Sequence, residues 1–315
     1  MNVAIVGDVK GQLEQIYDHI AKYELKEKVK INLLLCCGDF TTPRNLNDFE
    51  CVVRPPKYRS MGSFYKYYSG EKFAPVLTIF IGGNQEAWNY LQELPFGGWV
   101  APNIYYLGYA GVVNYKGLRI GGVSGVHSPR NFHLHHFERS PYNYDTVRSV
   151  YHYREQDFAR LMQISESIDI MISHEWPQGV TKYGNVRQLT NRKFQGRIEN
   201  IGVFSCFKLL NKLQPSYWFA AQMKIKFAAL IPHENRKNTK FLALESYRYD
   251  TLRECPLDDN FFAVVDFKAN SAGIAINEES QMQYDLEWLA ILYQSAQSQN
   301  PSEFPPNAEL KETVR

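Results

Sequence analysis

The feature that most constrains the fold is a series of short apolar, β-rich segments, each ending in small or polar residues. These segments lie at 3–6, 31–35, 76–81, 118–123, 168–172, 217–221, 226–231 and 240–244. Apolar residues at helical spacing over 11–27 separate the first two. The order of strand, polar loop, helix and strand predicts an α/β protein with functional loops at the carboxyl ends of buried strands.

Charge divides the chain into two parts. Its 315 residues suffice for one large domain or two smaller ones. The net charge is only +2, yet residues 1–240 hold 30 Lys and Arg against 20 Asp and Glu, while residues 241–315 hold 5 against 13. The sequence after about residue 246 is also less periodic. We therefore predict a main domain over 1–245, and an acidic C-terminal domain remnant with a flexible tail over 246–315.

The five cysteines and the lengths of the apolar runs indicate the cellular compartment of the protein. The cysteines contain no C-x-x-C pair, which is typical of reduced thiols in the cytosol or nucleus. The N-terminus lacks the pattern of a signal peptide, and no apolar run approaches the length of a membrane span. These features predict a soluble intracellular protein without a membrane partner.

Five polar motifs follow the predicted strands in a fixed order. They read Gly7-Asp8-Val9-Lys10-Gly11, Gly38-Asp39, Gly83-Asn84-Gln85-Glu86, Ser173-His174 and Ala221-Gln222-Met223-Lys224. In this order they resemble the five blocks of calcineurin-like metallophosphoesterases. The resemblance implies a β-sandwich flanked by helices, with a small C-terminal extension. It also implies a family chemistry in which two divalent metals activate a hydroxide that attacks phosphorus.

The sequence around the motifs narrows the resemblance. Arg54–Tyr58, Phe80–Gly108 and Ser173–Pro177 are closely similar to the RNA lariat debranching enzyme family. That family implies a metal-dependent phosphodiesterase that hydrolyses the 2′–5′ bond of intron lariats. It also implies that residues 127–154 correspond to a lariat recognition loop.

The departures from the family pattern fall on the metal ligands. The retained ligand positions are Asp8, Asp39, Asn84 and His174, whereas the resemblance puts histidines where this chain has Lys10, Gln85, Gln222 and Lys224. An ammonium has no lone pair for a metal, and an amide is a weak ligand. Gln85 stands at the position of the catalytic histidine. We therefore expect no catalytic residue and no bound cofactor in this chain.

Two readings of the lysines remain open. Lys10 and Lys224 can reflect drift after the site fell out of use. Alternatively, the two ammoniums replace metal charge by pairing with Asp8 and Asp39.

Three segments combine basic and aromatic residues, as proteins that bind single-stranded or branched RNA do. These segments are 53–68, 127–154 and 181–197. The candidate RNA contacts are Arg54, Lys57, Tyr58, Arg130, His133, His135, Arg139, Tyr142, Arg148, Arg154, Lys182 and Arg187. The cluster His133–His136 lacks partners at ligand spacing and is better suited to phosphate than to a metal.

These observations leave several functional hypotheses. The first is a catalytically inactive homologue of the debranching enzyme that binds branched or intron RNA, or splicing proteins, in the nucleus or also in the cytoplasm. The second is an active debranching phosphodiesterase with an altered site that uses Fe²⁺, Zn²⁺ or Mn²⁺. A third is a protein-binding scaffold in RNA processing. The missing imidazoles favour the first hypothesis over the second, and the long loop over 127–154 favours RNA binding over the scaffold.

Overall fold

The computed structural model describes residues 1–190, 198, 201–250, 255–256, 258–267 and 281–297. Its strands are β1 (Asn2–Val6), β2 (Ile31–Cys36), β3 (Leu77–Phe80), β4 (Gly98–Ala101), β5 (Ile104–Tyr106), β6 (Ala110–Tyr115), β7 (Leu118–Val123), β8 (Ile170–Ser173), β9 (Tyr217–Ala220), β10 (Phe227–Pro232), β11 (Asn238–Ala243), β12 (Tyr249–Asp250), β13 (Cys255–Pro256), β14 (Phe262–Asp266) and β15 (Met282–Tyr284). Its α-helices are α1 (Leu13–Glu27), α2 (Phe64–Tyr68), α3 (Trp88–Leu91), α4 (Thr146–Ser149), α5 (Glu155–Leu161), α6 (Arg187–Thr190), α7 (Phe204–Leu213) and α8 (Leu286–Gln297). None of these helices is both long and apolar enough to cross a membrane.

Two mixed sheets form the centre of the fold. The first has the strand order β14-β1-β2-β3-β5-β4, and the second has the order β10-β11-β9-β8-β7-β6-β15. Strands β1, β2, β3 and β5 are parallel, as are β7, β8, β9 and β11. Because parallel strands end at the same edge of a sheet, their following loops are brought together.

The sheets pack face to face, with helices on both outer faces. Side chains such as Val3 and Leu35 of the first sheet share a buried cluster with Ile120 and Ile172 of the second. On the outer face of the first sheet, α1 buries Leu13, Ile16, Tyr17 and Ile20. On the outer face of the second, α5, α7 and α8 supply the buried side chains. This α/β sandwich confirms the predicted fold class.

The predicted strands agree closely with the observed ones. The segment predicted at 31–35 forms β2, and that at 118–123 forms β7. The helical spacing over 11–27 forms α1, which ends where Lys28 adopts a left-handed conformation at φ 55° and donates its backbone N–H to Glu24 O. Buried strands are readable from sequence because both faces require apolar side chains.

The acidic segment after residue 245 is integrated into both sheets in its described part. Strand β14 pairs antiparallel with β1, and β15 pairs antiparallel with β6. The sequence instead predicts an addition to a main domain that ends at residue 245. The difference arises because β14 and β15 cover the free edges of strands that belong to that main domain. The predicted tail at the end of the chain lies outside the described residues.

Candidate functional site

The motif residues meet at the carboxyl ends of the parallel strands. Asp8 follows β1, Asp39 follows β2, and Asn84 follows β3 in the first sheet. His174 follows β8, and Gln222 follows β9 in the second. The centre therefore lies where the two sheets face each other at this edge.

Two buried carboxylates and one buried imidazole form the middle of the site. Ligand atoms of Asp8, Asp39 and His174 all lie within 4.8 Å of one another. The His174 Nδ1 atom is 3.7 Å from Asp8 Oδ1, and its Nε2 atom is 3.7 Å from Asp39 Oδ1. The four-residue set retained from the family is completed by Asn84, which is only half-buried.

Lys10 supplies the positive charge between the two carboxylates. Its Nζ atom is 3.4 Å from Asp8 Oδ2 and makes a shorter contact with Asp39 Oδ2. Burial disfavours the ammonium, but Asp39 and Asp8 outweigh it and raise the pKa of Lys10. Burial likewise opposes ionisation of Asp39, but His174 and Lys10 outweigh it and lower the pKa of that carboxyl. Lys10 and Asp39 are therefore a charged pair.

The remaining carboxylate oxygens accept hydrogen bonds from the protein. Ser246 Oγ donates to Asp8 Oδ2 at 2.5 Å, and the Gln222 backbone N–H donates to Asp8 Oδ1 at 3.2 Å. The Gln85 backbone N–H donates to Asp39 Oδ1 at 2.9 Å. Both carboxylates are thus satisfied by protein donors as well as by Lys10.

Lys224 behaves differently from Lys10. It is exposed, and in the described ranges it makes no ion pair with either carboxylate. Only one of the two lysines therefore supports the reading in which ammoniums replace metal charge. Both residues have left-handed backbones, with φ of 56° at Lys10 and 54° at Lys224. Histidine is among the residues enriched in that conformation, so these positions suit the side chain that the family resemblance implies.

Gln85 is held by an arginine. Its Oε1 atom accepts a hydrogen bond from Arg54 Nε at 3.1 Å and a shorter one from the same guanidinium. Arg54 also lies close enough to Lys10 for its charge to act on the pKa of that ammonium. The position that corresponds to the family's catalytic histidine therefore carries a neutral amide whose oxygen is already engaged.

Two glycines allow the centre to close. A Cβ atom on Gly83 would lie 2.3 Å from Asp39 Oδ1, and one on Gly38 would lie 2.3 Å from His174 Nδ1. Gly38 also has a φ of 112°. No other residue fits these positions without moving the acid or the imidazole.

A buried glutamate, Glu86, and a half-buried one, Glu175, support the loops of the site. Glu86 accepts hydrogen bonds from the backbone N–H groups of Phe40 and Thr41, both at 2.6 Å. Burial raises its pKa to about 8. Glu175 accepts a hydrogen bond from the His127 backbone, and burial raises its pKa to about 7. Sequence reasoning assigned neither residue a role, although Glu86 stands within a quoted motif.

These shifts predict that stability falls as pH rises from about 6.5 to 8. Over this range the unfolded chain has ionised Glu86, while the folded chain keeps the proton, so the free energy of unfolding decreases, on the order of a few kcal/mol. His152, whose pKa burial lowers to about 4, acts in the opposite direction, but only up to about pH 6.5. Urea unfolding at fixed pH values measures the slope.

The matched variants for the pH experiment are Glu86→Gln and Glu175→Gln. Glu86→Gln should remove most of the fall in the free energy of unfolding up to pH 8. Glu175→Gln should remove only the part of that fall that occurs below about pH 7. A slope that neither variant changes would assign the pH dependence to other groups.

The loop over 127–154 is anchored beside His174. Its first residue, His127, donates its backbone N–H to Glu175, the residue after His174. At its other end, Tyr153 N donates to Val126 O at 2.8 Å. The ring of Tyr151 is close enough to both Arg148 and Asp39 for their charges to act on its pKa, which burial raises. The loop therefore begins and ends next to the centre.

Arg154 holds the loop together from inside. Its side chain is 0% exposed, and its Nη2 atom is 2.6 Å from Glu138 Oε1. The guanidinium also donates to the carbonyl oxygens of His135 and Ser149, both at 3.2 Å. Tyr142 is half-buried and donates its hydroxyl to Gln92 Oε1 at 2.5 Å. We leave Arg154 out of the proposed RNA surface, because burial removes it from solvent.

Other residues of the loop are exposed or half-buried at the surface. The guanidinium of Arg148 lies 3.6 Å from the ring centroid of Tyr144, which is 73% exposed. Arg130 is exposed, while the exposed His133 and His135 contact Glu155 and Gln156. The loop therefore offers cations and an aromatic face together.

The other two basic segments are only partly described. In the first, Arg54 reaches the centre and Lys57 is exposed, while the Tyr58 side chain lies outside the description. In the second, Lys182 and Arg187 are exposed, and residues 191–197 lie outside the described ranges. Both remain candidate RNA contacts.

The residues present do not fit a pair of metal ions. Four of the family's imidazole positions hold Lys or Gln, and Lys10 Nζ contacts both carboxylates that a metal would need. One observation points the other way. The His174 Nδ1 atom donates to Cys37 O at 3.0 Å, and its Nε2 atom has no hydrogen-bond partner in the described structure, so Nε2 is the ring nitrogen that remains available. The set Asp8, Asp39 and His174 fits a single ion only if Lys10 moves away.

Comparison with known proteins assigns the class and then the family. The sheets and the order of strand-end residues define a calcineurin-like phosphoesterase, and the model of that family matches residues 1–221. The chain is 49% identical to lariat debranching enzyme A of Xenopus laevis over 93% of its length and 50% identical to the lariat debranching enzyme of Danio rerio over 96%. The chain belongs to the lariat debranching enzyme family.

The match covers the relatives to different extents. The chain spans 54% and 52% of the Xenopus and Danio proteins, about half their length. It spans 68% of the lariat debranching enzyme of Arabidopsis thaliana, to which it is 46% identical.

Proposed function

We propose that this chain binds branched intron RNA without hydrolysing its 2′–5′ bond. The observation that carries the proposal is the contact of Lys10 Nζ with both Asp8 and Asp39. In a phosphoesterase these carboxylates must hold divalent metal, and an ammonium between them competes for the same oxygens. The proposed location is the nucleus, because introns are excised there.

The residues next to the contact of Lys10 with the two carboxylates also support the proposal that the chain does not hydrolyse the bond. Stabilising charge on a departing oxygen requires a donor aimed at that oxygen. Gln85 stands where the family resemblance puts the catalytic histidine, and its amide oxygen is engaged by Arg54. The chain thus lacks most of the imidazoles that would hold two metal ions, and it lacks the imidazole at the position of the catalytic histidine.

The RNA-binding part of the proposal rests on the loop over 127–154. Arg130 and Tyr144 lie exposed, and Arg148 lies half-buried over the Tyr144 ring, on a loop whose two ends border the centre. Cations that neutralise phosphate, next to a ring that can stack on a base, form the usual surface for unpaired RNA. A branched strand at the centre would therefore meet the loop.

We expect the unmodified protein to bind a 2′–5′ branched RNA and leave it intact in the presence of Mn²⁺, Zn²⁺ or Fe²⁺. Binding is measured by fluorescence anisotropy over a salt titration, and cleavage by gel electrophoresis. The quadruple variant Lys10→His, Gln85→His, Gln222→His and Lys224→His should be needed before cleavage appears, because single reversions leave the donor set incomplete.

Two variants serve as controls. Arg130→Ala with Arg148→Ala should weaken binding and lower the salt slope by about one for each phosphate contact removed. Lys26→Gln with Lys30→Gln removes the same charge at the opposite end of the strands and should leave affinity unchanged. Metal-dependent cleavage by the unmodified protein, or equal affinity for linear and branched RNA, would contradict the proposal.

A second candidate function is hydrolysis of the same bond with one metal. It is favoured by the His174 Nε2 atom, which has no hydrogen-bond partner among the described residues, and by the carboxylates beside it. Metal analysis after incubation with each ion separates the candidates. One tightly bound equivalent together with cleavage supports this second function.

A further inference from the structure

A pocket of about 330 Å³ lies away from the metal-type centre, between the loop over 127–154 and α5. Its wall includes Gln92, Phe96, Tyr109, His136, Arg139 and Arg160. A stack of rings separates it from the centre. Trp88 donates its indole N–H to Gly83 O and stacks on Tyr109 with ring centroids 5.8 Å apart. The His136 ring also stacks on Tyr109, with ring centroids 3.6 Å apart, so these rings bound the pocket.

The wall of the pocket is held in place by polar contacts. His136 Nε2 donates to Asp157 Oδ2 at 2.8 Å, and Arg160 Nη1 donates to Asp157 Oδ1 at 3.4 Å. Gln92 donates its amide N–H to Glu138 O at 2.5 Å. These contacts fix the imidazole, a guanidinium and an amide before any ligand arrives, which lowers the entropic cost of binding.

The same wall keeps unused capacity for a ligand. Arg160 Nε and His136 Nδ1 are buried atoms with no hydrogen-bond partner in the described parts of the chain. Arg139 donates only to the carbonyl oxygens of His136 and Glu138, and it forms no ion pair with a described residue. The single carboxylate of Asp157 offsets only one of the two guanidiniums of Arg139 and Arg160, so the wall keeps a net positive charge. A buried donor without a partner, as Arg160 Nε is, is uncommon and indicates a missing acceptor.

The apolar part of the pocket suits a ring. Phe96 is exposed, and the Arg160 guanidinium lies 5.7 Å from its ring centroid. Guanidiniums bind phosphate with paired hydrogen bonds, and aromatic and guanidinium faces stack on bases. The volume falls within the range of small-molecule sites.

We propose that this pocket binds one phosphorylated nucleotide unit of an RNA strand, with the phosphate on Arg139 and Arg160 and the base against Phe96. The pocket adds a contact for a strand that extends from the branch point, so the RNA part of this inference rests on the proposed function. The pocket's affinity for a nucleotide does not.

The experiment uses adenosine 5′-monophosphate as the probe, titrated by calorimetry into the full chain. Adenosine and inorganic phosphate are titrated separately, and each should bind more weakly than the nucleotide. Arg139→Gln with Arg160→Gln should weaken nucleotide binding about tenfold or more, the loss expected for charged hydrogen bonds. Arg139→Gln alone, at an exposed side chain without an ion pair, should also weaken binding and does not endanger folding.

Matched variants locate the nucleotide. Lys26→Gln with Lys30→Gln changes the charge equally at the far end of the strands and should bind as the unmodified protein does. Arg130→Ala with Arg148→Ala, on the same loop but outside the pocket, should also keep its affinity for the nucleotide. Equal loss in this variant and in the pocket variant would overturn the proposal, and so would absence of nucleotide binding or equal affinity for adenosine.

A linear hexa-adenylate distinguishes RNA from a free nucleotide as the source. If hexa-adenylate competes with the nucleotide, and the pocket variant loses this competition, the ligand of the pocket is a nucleotide unit of an RNA strand. Nucleotide binding without competition overturns the RNA assignment. Nucleotide binding in a protein that fails to bind branched RNA rejects the proposed function and leaves the pocket standing.

Discussion

Lys10→Ala is expected to lower the free energy of unfolding by about 3–5 kcal/mol, as when one partner of a buried ion pair is removed. The Lys10 side chain is 19% exposed, and it contacts Asp8 and Asp39, which are both buried. Without the ammonium, two carboxylates face each other with only His174 between them. Urea unfolding at neutral pH measures the loss, with Lys224→Ala as the matched control. Because Lys224 is exposed, its replacement should change stability by less than about 0.5 kcal/mol.

Added metal ions should stabilise the Lys10→Ala variant more than they stabilise the unmodified protein. Removal of the ammonium leaves Asp8, Asp39 and His174 as a donor set without a competing cation, and a ligand that binds only the folded state stabilises it. Added Mn²⁺ or Zn²⁺ is therefore expected to recover part of the loss in Lys10→Ala. If Lys10→Ala is as stable as Lys224→Ala, the ammonium does not hold the centre together.

Arg119→Met is expected to lower the free energy of unfolding by about 3–5 kcal/mol, because it also removes the cation of a buried ion-pair network. The Arg119 side chain is 10% exposed, with its Nε atom 2.6 Å from Asp285 Oδ2 and its Nη2 atom 2.9 Å from Glu287 Oε2. These contacts tie the start of α8 to β7. The variant leaves two carboxylates partly buried without their cation, and thermal unfolding measures the effect.

A combined variant separates charge from packing. Asp285→Asn and Glu287→Gln, added to Arg119→Met, remove the uncompensated charge and should restore much of the stability. Asn can still accept the Trp288 backbone N–H that Asp285 Oδ1 accepts at 2.9 Å. If the triple variant is no more stable than Arg119→Met, the loss comes from packing of the arginine stem.

Local sequence is sufficient to predict the framework of the site. A strand buried on both faces needs a continuous apolar run, and such a run is visible without knowledge of its neighbours. The residue after each run is therefore predictable as a strand-end residue. The resemblance of these strand-end motifs to the family then identifies Asp8, Asp39, Asn84 and His174 as retained ligand positions, together with the substituted positions between them.

The partners of those residues are decided by tertiary structure. Lys10 and Lys224 are equivalent in sequence as lysines at ligand positions, yet only Lys10 reaches the carboxylates. Arg154 and Arg148 are both loop arginines, yet Arg154 is buried on Glu138 and Arg148 lies over Tyr144.

The reason is the distance along the chain between interacting groups. Apolar periodicity is set within a few residues, so the sequence by itself determines the strands and the order of the motifs, and the family resemblance of those motifs marks the positions of the missing imidazoles. Charge pairing and burial depend on segments far apart, such as Ser246 on Asp8 or Asp285 on Arg119. Only the tertiary structure shows that an ammonium is held between the two acids, that Glu86 is buried, and that the described part of the acidic C-terminal segment completes both sheets.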